Sequence, residues 1–366
     1  MTQFFQLHVL TPYAASNLNR DDAGRPKTLN FGGAERLRVS SQSLKRAFRT
    51  SDVFNEAIGG ARGTRSNSFT ESLVGALRKA GISDDDQITK LVSAVITKEK
   101  LGAPKKENHR LTEQLVHLGP EELARLEKLA ARLAKGDDIA ADKETLVLIQ
   151  KPRAADIALF GRMLADNPLY NVEAAAQVAH AFTTHRVSVE DDFYTAVDDL
   201  KSANADADRG AGFIGVGEYG AGIFYLYINV DADQLLRNLA GDKALAAKTL
   251  EGFIEAALTV SPKGKQNSYA SRTYASYALA ELGCRAPRSL AGAFVCPVGT
   301  STRYDESDYL AASIARLGKL RKNFDDVYGA CASRAAHLNT AAEDGDAGSL
   351  ASIKALAKET VDGLAS

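Results

Sequence analysis

Two strand-like apolar runs far apart in the chain, Phe4 to Leu10 and Ile223 to Val230 (IFYLYINV), set the first constraint on the fold. The second is aromatic and β-branched, a composition that a pleated, half-buried surface favours. Much of what lies between them has helical period. Ser83, followed by Asp84, Asp85 and Asp86, opens one helix with carboxylates at its positive end. Another runs from Pro120 to Lys135, where Leu123, Leu126, Ala130 and Leu133 recur at helical spacing before Gly136. Glu173 to Thr184 reads as an Ala-rich helix, Lys243 to Val260 and Asp308 to Asn323 as amphipathic helices, and the last stretch as a loop and a terminal helix. Short strands are expected at Thr145 to Ile149 and Ile157 to Phe160. Asn17 to Gly33, rich in Asn, Asp, Gly and Pro, reads as loop, as does Arg62 to Ser68. Strands and helices alternate with no regular βαβ period, which selects an α+β fold.

A chain of 366 residues can hold one elaborated core or two domains. Its 45% apolar and 25% charged residues exclude collagen-like, disordered and disulfide-scaffold classes. No apolar run approaches the roughly 18–20 residues of a membrane helix. The N-terminal MTQFFQLHVLTPY has neither a basic region nor a small-residue cleavage site. A cytoplasmic protein with no membrane partner is therefore expected. Cys284, Cys296 and Cys331 form no CxxC pair, so neither a zinc site nor a redox motif is implied, and they read as small buried apolar residues.

The net charge of −1 argues against a general polyanion binder, but its distribution points the other way. Between Asn17 and Thr50, Arg20, Arg25, Lys27, Arg36, Arg38, Lys45, Arg46 and Arg49 face only Asp21, Asp22 and Glu35, a local net of +5. In SSQSLKRAFR, a helix capped by Ser40 or Ser41, Leu44, Ala47 and Phe48 share one face at about 100° per residue, and Gln42, Lys45, Arg46 and Arg49 share the opposite one. The apolar face suits packing on the first strand. The other presents three cations and an amide over roughly two turns, a length suited to neighbouring phosphates. A solvated charged face is the plain alternative, yet no acidic residue lies within the segment, and ordinary surface helices mix signs. Gly24, Gly32 and Gly33 interrupt the preceding cationic loop and let its backbone approach a ligand closely.

Motifs for catalysis are weak. Gly215, Gly217 and Gly220 match GxGxxG but lead into a strand instead of opening a helix, so no dinucleotide site is expected. His180 and His185 do not have the i, i+4 spacing of a helical zinc pair, and the adjacent pairs Asp21–Asp22 and Asp198–Asp199 diverge instead of converging on one ion. No GxSxG, SxxK or Walker A sequence occurs. No enzyme activity, cofactor or metal is expected. Phe193 and Tyr194, beside the acidic Glu190, Asp191 and Asp192, are candidates for stacking on bases, whereas Tyr219, Phe224, Tyr225 and Tyr227 read mainly as strand core.

The stretch LNRDDAGRPKTLNFGGAERLRVSSQSLKRAFR, Leu18 to Arg49, resembles the CasC-type backbone subunit of the type I-E CRISPR Cascade complex. ADIALFGRM, AHAFTTHRV, FYTAVDDL and GAGIFYLYINVD are similar to the same family in the same order, with KGKQNSYA a looser sixth piece. The resemblance implies an RRM-like (ferredoxin-like) palm at 1–57, 181–189 and 223–366, a helical fingers insertion at 58–180 and a β-hairpin thumb at 190–222. It places contacts to an RNA backbone on Arg20, Lys27, Ser40, Gln42, Lys45, Arg46 and Arg49, and a wedge at an RNA kink on Met163. Bulky thumb aromatics fall on Phe193 and Tyr194, and a further polar contact region on Lys263, Lys265 and Gln266. The implied partners are CRISPR RNA, other copies of the chain arranged head-to-tail, other Cascade subunits, and target DNA reached through guide pairing. Two other readings remain open: a metal-dependent target-RNA ribonuclease subunit using Asp21 or Asp22, and a stand-alone RNA-binding regulator.

Overall fold

The first strand alternates Phe5, Leu7 and Val9 to one side and Gln6, His8 and Leu10 to the other, and all six side chains are buried. A strand with both faces covered needs layers above and below it. The computed structural model supplies them, and it describes residues 1–139, 146–196, 213–300, 306–342 and 346–365. Its strands are β1 (Phe4–Ser16), β2 (Thr28–Phe31), β3 (Ala34–Val39), β4 (Thr64–Ser66), β5 (Val116–Leu118), β6 (Ala176–Val178), β7 (Ala181–Thr183), β8 (Glu190–Ala196), β9 (Phe213–Asp231), β10 (Tyr277–Gly283) and β11 (Arg334–Asn339). Its helices are α1 (Ser41–Arg49), α2 (Asp52–Ala57), α3 (Thr70–Lys79), α4 (Asp85–Glu99), α5 (Pro120–Ala134), α6 (Ala155–Phe160), α7 (Ala232–Asn238), α8 (Lys243–Thr259), α9 (Gln266–Tyr269), α10 (Tyr309–Tyr328) and α11 (Leu350–Asp362). The fold is α+β. No helix among the described residues is long and apolar enough to cross a membrane.

The main sheet runs in the order β11-β10-β1-β9-β7-β3-β2, with β6 and β8 also paired to β9. Every one of these pairs is antiparallel. Phe5, Leu7 and Val9 sit opposite Val230, Ile228 and Leu226 of β9, and this face joins Leu44 and Phe48 of α1, Phe253 of α8 and Leu356 of α11 in the largest core cluster. On the other face, Leu10 and Tyr225 pack with Leu290, Phe294 and Leu317 beneath α10. His8 on that face is stacked between Tyr225 and Tyr227 and bonds Tyr225 Oη through Nδ1 at 2.9 Å. Glu281 of β10 takes Arg288 and Arg321, so this buried anion is compensated. A second, separate apolar cluster joins α3, α4, α5 and β5 through Leu73, Val92, Val116 and Leu126. Its small sheet is the antiparallel pair β4–β5.

Several expectations from sequence need correction. The segment 173–184 is not a helix: Ala176, Val178, Phe182 and Thr183 pair with β9, and sheet pairing overrides the helix propensity of its alanines. The segment 157–160 belongs to α6, not to a strand. Residues 146–149 are not a strand either; the amides of Leu146, Val147 and Leu148 donate to the buried Glu99 carboxylate and that of Ile149 to Glu122. Thr145 lies outside the described residues, as do Asp198, Asp199 and the Asp- and Gly-rich end of the expected thumb at 197–212. The 62–68 loop contains β4, and the 17–33 loop contains β2. β2 and β3 close around Gly32 and Gly33, both at positive φ (61° and 73°), the backbone that a two-residue hairpin turn requires. Cys331 is buried as expected, but Cys284 and Cys296 are exposed.

A buried ion pair ties the second cluster to the segment that follows α6. Glu122, near the start of α5, accepts Arg162 Nη1 at 2.7 Å, the Gly119 amide at 2.8 Å and the Ile149 amide at 2.8 Å. Arg162 also donates to the carbonyls of His117, Ile149 and Tyr170. Replacing Glu122 with Ala strands a buried guanidinium, and a loss of about 3–5 kcal/mol is expected from urea unfolding midpoints; a loss under about 1 kcal/mol would show the pair to be dispensable.

Candidate nucleic-acid interface

Helix α1 is short and built for one-sided packing. Ser40 caps it, its hydroxyl accepting the Ser43 amide at 3.3 Å, and the Ser40 amide in turn donates to Asn19 Oδ1 at 2.8 Å. Leu44, Ala47 and Phe48 are buried, with Phe48 edge-on to Phe253 of α8. Gln42, Lys45, Arg46 and Arg49 are thereby turned to the opposite side, as the helical period requires. There they line a groove of about 820 Å³ with Arg65 of β4, His117 of β5 and the segment that follows α6.

That segment carries Met163. Gly161 sits at φ +80° with the Val172 carbonyl against the position a Cβ would take, so glycine is required for the turn. Arg162 points inward to Glu122 and Met163 outward, 81% exposed, into the same groove as the α1 cations.

The three cations of α1 are not equivalent. No carboxylate lies within salt-bridge range of Lys45 or Arg46 among the described residues. Lys45 Nζ stands 5.9 Å from the Phe160 ring centre, and burial pushes its ammonium below its ordinary value. Arg49 is different: its Nη1 donates to Asp156 Oδ2 at 3.1 Å. Its partner is thus not the neighbouring Asp52 but a fully buried carboxylate far along the chain. Asp156 also accepts His117 Nε2 at 2.9 Å and the Gly63 amide at 2.7 Å. Burial alone would push the Asp156 carboxyl up; the His117 hydrogen bond and charge, the Gly63 amide and Arg49 outweigh it and hold the group below its ordinary value.

The remaining candidates are spread more widely. Lys27 lines a separate depression of about 360 Å³ with Arg25 and Arg38, but also with Asp21 and Glu35. Arg38 Nη1 donates to His180 Nδ1 at 3.0 Å; burial, then Arg38 and Lys27, push the His180 pKa down, so the imidazole stays neutral and accepts. Arg20 is exposed on the loop, bridged to Pro26. Ser40 is largely buried and its hydroxyl serves as helix cap. Arg36, counted among the cations of the loop, is fully buried and donates to the carbonyls of Thr183 and Phe294, a structural role. Phe193 and Tyr194 lie on β8, 65% and 49% exposed. Opposite residues share a face, so Phe193 stands with Val216, while Tyr194 meets Phe213 on the other side at 6.1 Å. Lys263 and Lys265 are exposed, and the Gln266 amide is turned back onto the carbonyls of Pro262 and Ser271.

The groove therefore unites Gln42, Lys45, Arg46, Arg49 and Met163 and leaves the other candidates outside it. Arg65, His117, Phe160 and Asp156 were not singled out from sequence. Nothing local marks Arg65 and His117, because β4 and β5 are three residues long and pair across fifty positions, and Asp156 and Phe160 lie in the ADIALFGRM piece, from which only Met163 was singled out.

Comparison with known proteins decides the family. The family model described as "CT1975-like protein" matches residues 5–364. The chain belongs to the CT1975-like family. No curated protein sequence matches this CT1975-like chain. Among solved structures it is similar to a chain of a "CRISPR RNA-guided surveillance complex, pre-nicking", with a TM-score of 0.79 and 30% identity over 98% of this chain and 100% of that one. It is also similar to a chain of a "CRISPR RNA-guided surveillance complex", with a TM-score of 0.60 and 27% identity over 98% of both chains.

In this CT1975-like protein Asp156 is ionised in the native state at a lowered pKa, so its contribution to stability is present above the ordinary carboxyl range, about pH 4. The contribution is lost as pH falls through the native value. Asp156→Asn is expected to be less stable at pH 6 and to show a shallower fall between pH 5 and about pH 3, read from urea midpoints across that range. A variant that follows the wild-type slope would show that the Asp156 charge is not coupled to folding.

Proposed function

We propose that this CT1975-like protein is a backbone subunit of a CRISPR RNA-guided surveillance complex, of the CasC type found in type I-E Cascade, and that it grips CRISPR RNA by its sugar-phosphate chain. The observation that carries the reading is the groove: Lys45 and Arg46 project into it with no carboxylate in range among the described residues, and the exposed Met163 shares it. A cleft whose lining carries Lys45, Arg46, Arg49 and Arg65 against the carboxylate of Glu173 concentrates a polyanion, and backbone contacts leave base edges free to pair. The two similar solved chains, both parts of RNA-guided surveillance complexes, support the same reading.

The finer architecture follows the same proposal. The succession β1, α1, β6–β7, β9, α8, β10 with the spatial order β10-β1-β9-β6/β7 supports an RRM-like palm. The second apolar cluster would be the fingers insertion and the β8–β9 hairpin the thumb. Copies would line up head-to-tail along one RNA, with other Cascade subunits at the ends and target DNA entering by base pairing. Cutting is left to a partner. In the alternative ribonuclease reading the nucleophile-activating group would be Asp21 or Asp22, but Asp21 Oδ1 accepts the Ala23 and Arg25 amides at 2.9 Å each and serves the loop.

Lys45→Glu with Arg46→Glu is the direct test. Arg49 is unsuitable, since a glutamate there would face Asp156. The double variant is expected to keep its far-UV circular dichroism and melting temperature, to lose RNA-dependent assembly on size exclusion, and to flatten the log–log salt dependence of any residual binding by about 1.4, at about 0.7 per phosphate contact. Undiminished assembly would remove the groove from the RNA path. Native mass spectrometry on RNAs of graded length is expected to show regular increments of one subunit; one copy on every length would indicate a stand-alone RNA-binding regulator instead.

A further inference from the structure

We propose that Arg65 is a phosphodiester contact, and that it and Arg49 form a seat for one phosphate of the bound strand, held open by Asp156. The inference rests on the RNA-binding reading above and adds to it a wall of the groove that does not belong to α1.

Arg65 is the middle residue of β4 and exposed, and its side chain makes no hydrogen bond or ion pair to any described residue. It stands directly opposite His117 in the antiparallel β4–β5 pair, so the two side chains leave the ribbon on the same face. That face is the groove, which both residues line. A solvated surface arginine would be the plain account, but its surroundings argue against it. His117, 8% exposed, is fixed by Asp156, the same carboxylate oxygen holds Arg49, and the other oxygen takes the amide of Gly63, two residues before Arg65. One buried anion thus fixes both the helix side and the strand side of the groove.

The charge around this point is unbalanced. Lys45, Arg46, Arg49 and Arg65 line the groove with Glu173 as the carboxylate among its lining residues, and Asp156 is already shared between Arg49 and His117. Arg49 uses Nη1 for Asp156, so Nε and Nη2 remain for a ligand. Like charges gathered in excess of their counter-charges favour an anionic ligand, and a planar guanidinium suits the paired oxygens of a phosphate better than an ammonium does. Asp156 touches no ligand in this arrangement; it is a positioning residue. Because α1 packs into the main core cluster and β4 pairs with β5, whose Val116 and Leu118 belong to the second, a phosphate between Arg49 and Arg65 would bridge the two.

The test measures binding of fluorescein-labelled oligouridylate to the full chain across a salt series, for wild type, Arg65→Gln, Arg65→Lys and the Lys45→Glu/Arg46→Glu variant. Arg65→Gln is expected to melt with the wild type, since no described residue relies on its side chain, to bind several-fold more weakly, and to lose about 0.7 from the salt slope. Arg65→Lys is expected to restore the slope but only part of the affinity. If Arg65→Gln keeps both the affinity and the slope while Lys45→Glu/Arg46→Glu fails to bind, the Arg65 seat is wrong and the α1 groove stands. A loss of affinity with an unchanged slope also overturns it, because a phosphate contact must register in the salt dependence. Should neither variant lose RNA, both proposals fall together.

Discussion

Taking a carboxylate out of water is among the most expensive things a fold can do, and Asp156 is completely buried. Its ionised form persists because three donors converge on it: a guanidinium from α1, an imidazole from β5 and a main-chain amide just before β4. These donors come from stretches of sequence that otherwise build different apolar clusters. The carboxylate therefore does more than satisfy itself. It fixes how the cationic helix faces the small two-stranded sheet, and the groove between them exists in its observed form because of that geometry. The Glu122–Arg162 pair acts nearby in the same way, setting the segment from which Met163 emerges.

Seen electrostatically, the groove divides labour among its cations. Among the described residues Lys45 and Arg46 have no acidic partner within range, which favours binding of a polyanion. Arg49 is half committed inward, and it links the polar surface to the interior. The loop before α1 mixes signs, with Arg25 paired to Glu218 and Lys27 near Glu35, so the strongest uncompensated charge lies on the helix and not on the loop. A net charge near zero for the whole chain is consistent with this: only a small part of the surface needs to be positive.

How legible this was from sequence varied with the range of the interactions involved. Helix α1 was readable almost residue by residue, because cap, apolar face and cationic face all lie within ten residues. The same holds for α5 and α8, whose ends match their local signals closely. Where partners are distant the reading failed. Residues 173–184 look helical by composition and become strands because β9 is there to pair with them. Residues 146–149 look like a strand and are instead held by the carboxylates of Glu99 and Glu122. The hairpin at Gly32–Gly33 had a local signal, two glycines between short β-prone stretches, that was absorbed into a general reading of loop. Half of the groove was invisible for the same reason: Arg65 and His117 become neighbours only when β4 meets β5, and Asp156 gains its meaning only once both are in place.

Strand β9 begins in the exposed β8–β9 hairpin and ends between β1 and β6, deep in the sheet. A strand has no hinge between its two ends unless a bulge provides one, and side chains alternate along its whole length. The irregularity in this region lies where β1 leaves the pair, between Tyr13 and Ser16. The buried half of β9 therefore dictates the phase of the exposed half. Slipping the hairpin by one residue to exchange Phe193 and Val216 for Tyr194 and Phe213 would have to be absorbed before Leu226, Ile228 and Val230 were turned out of the core. The outward projection is indexed by the interior, like a pointer clamped at its base.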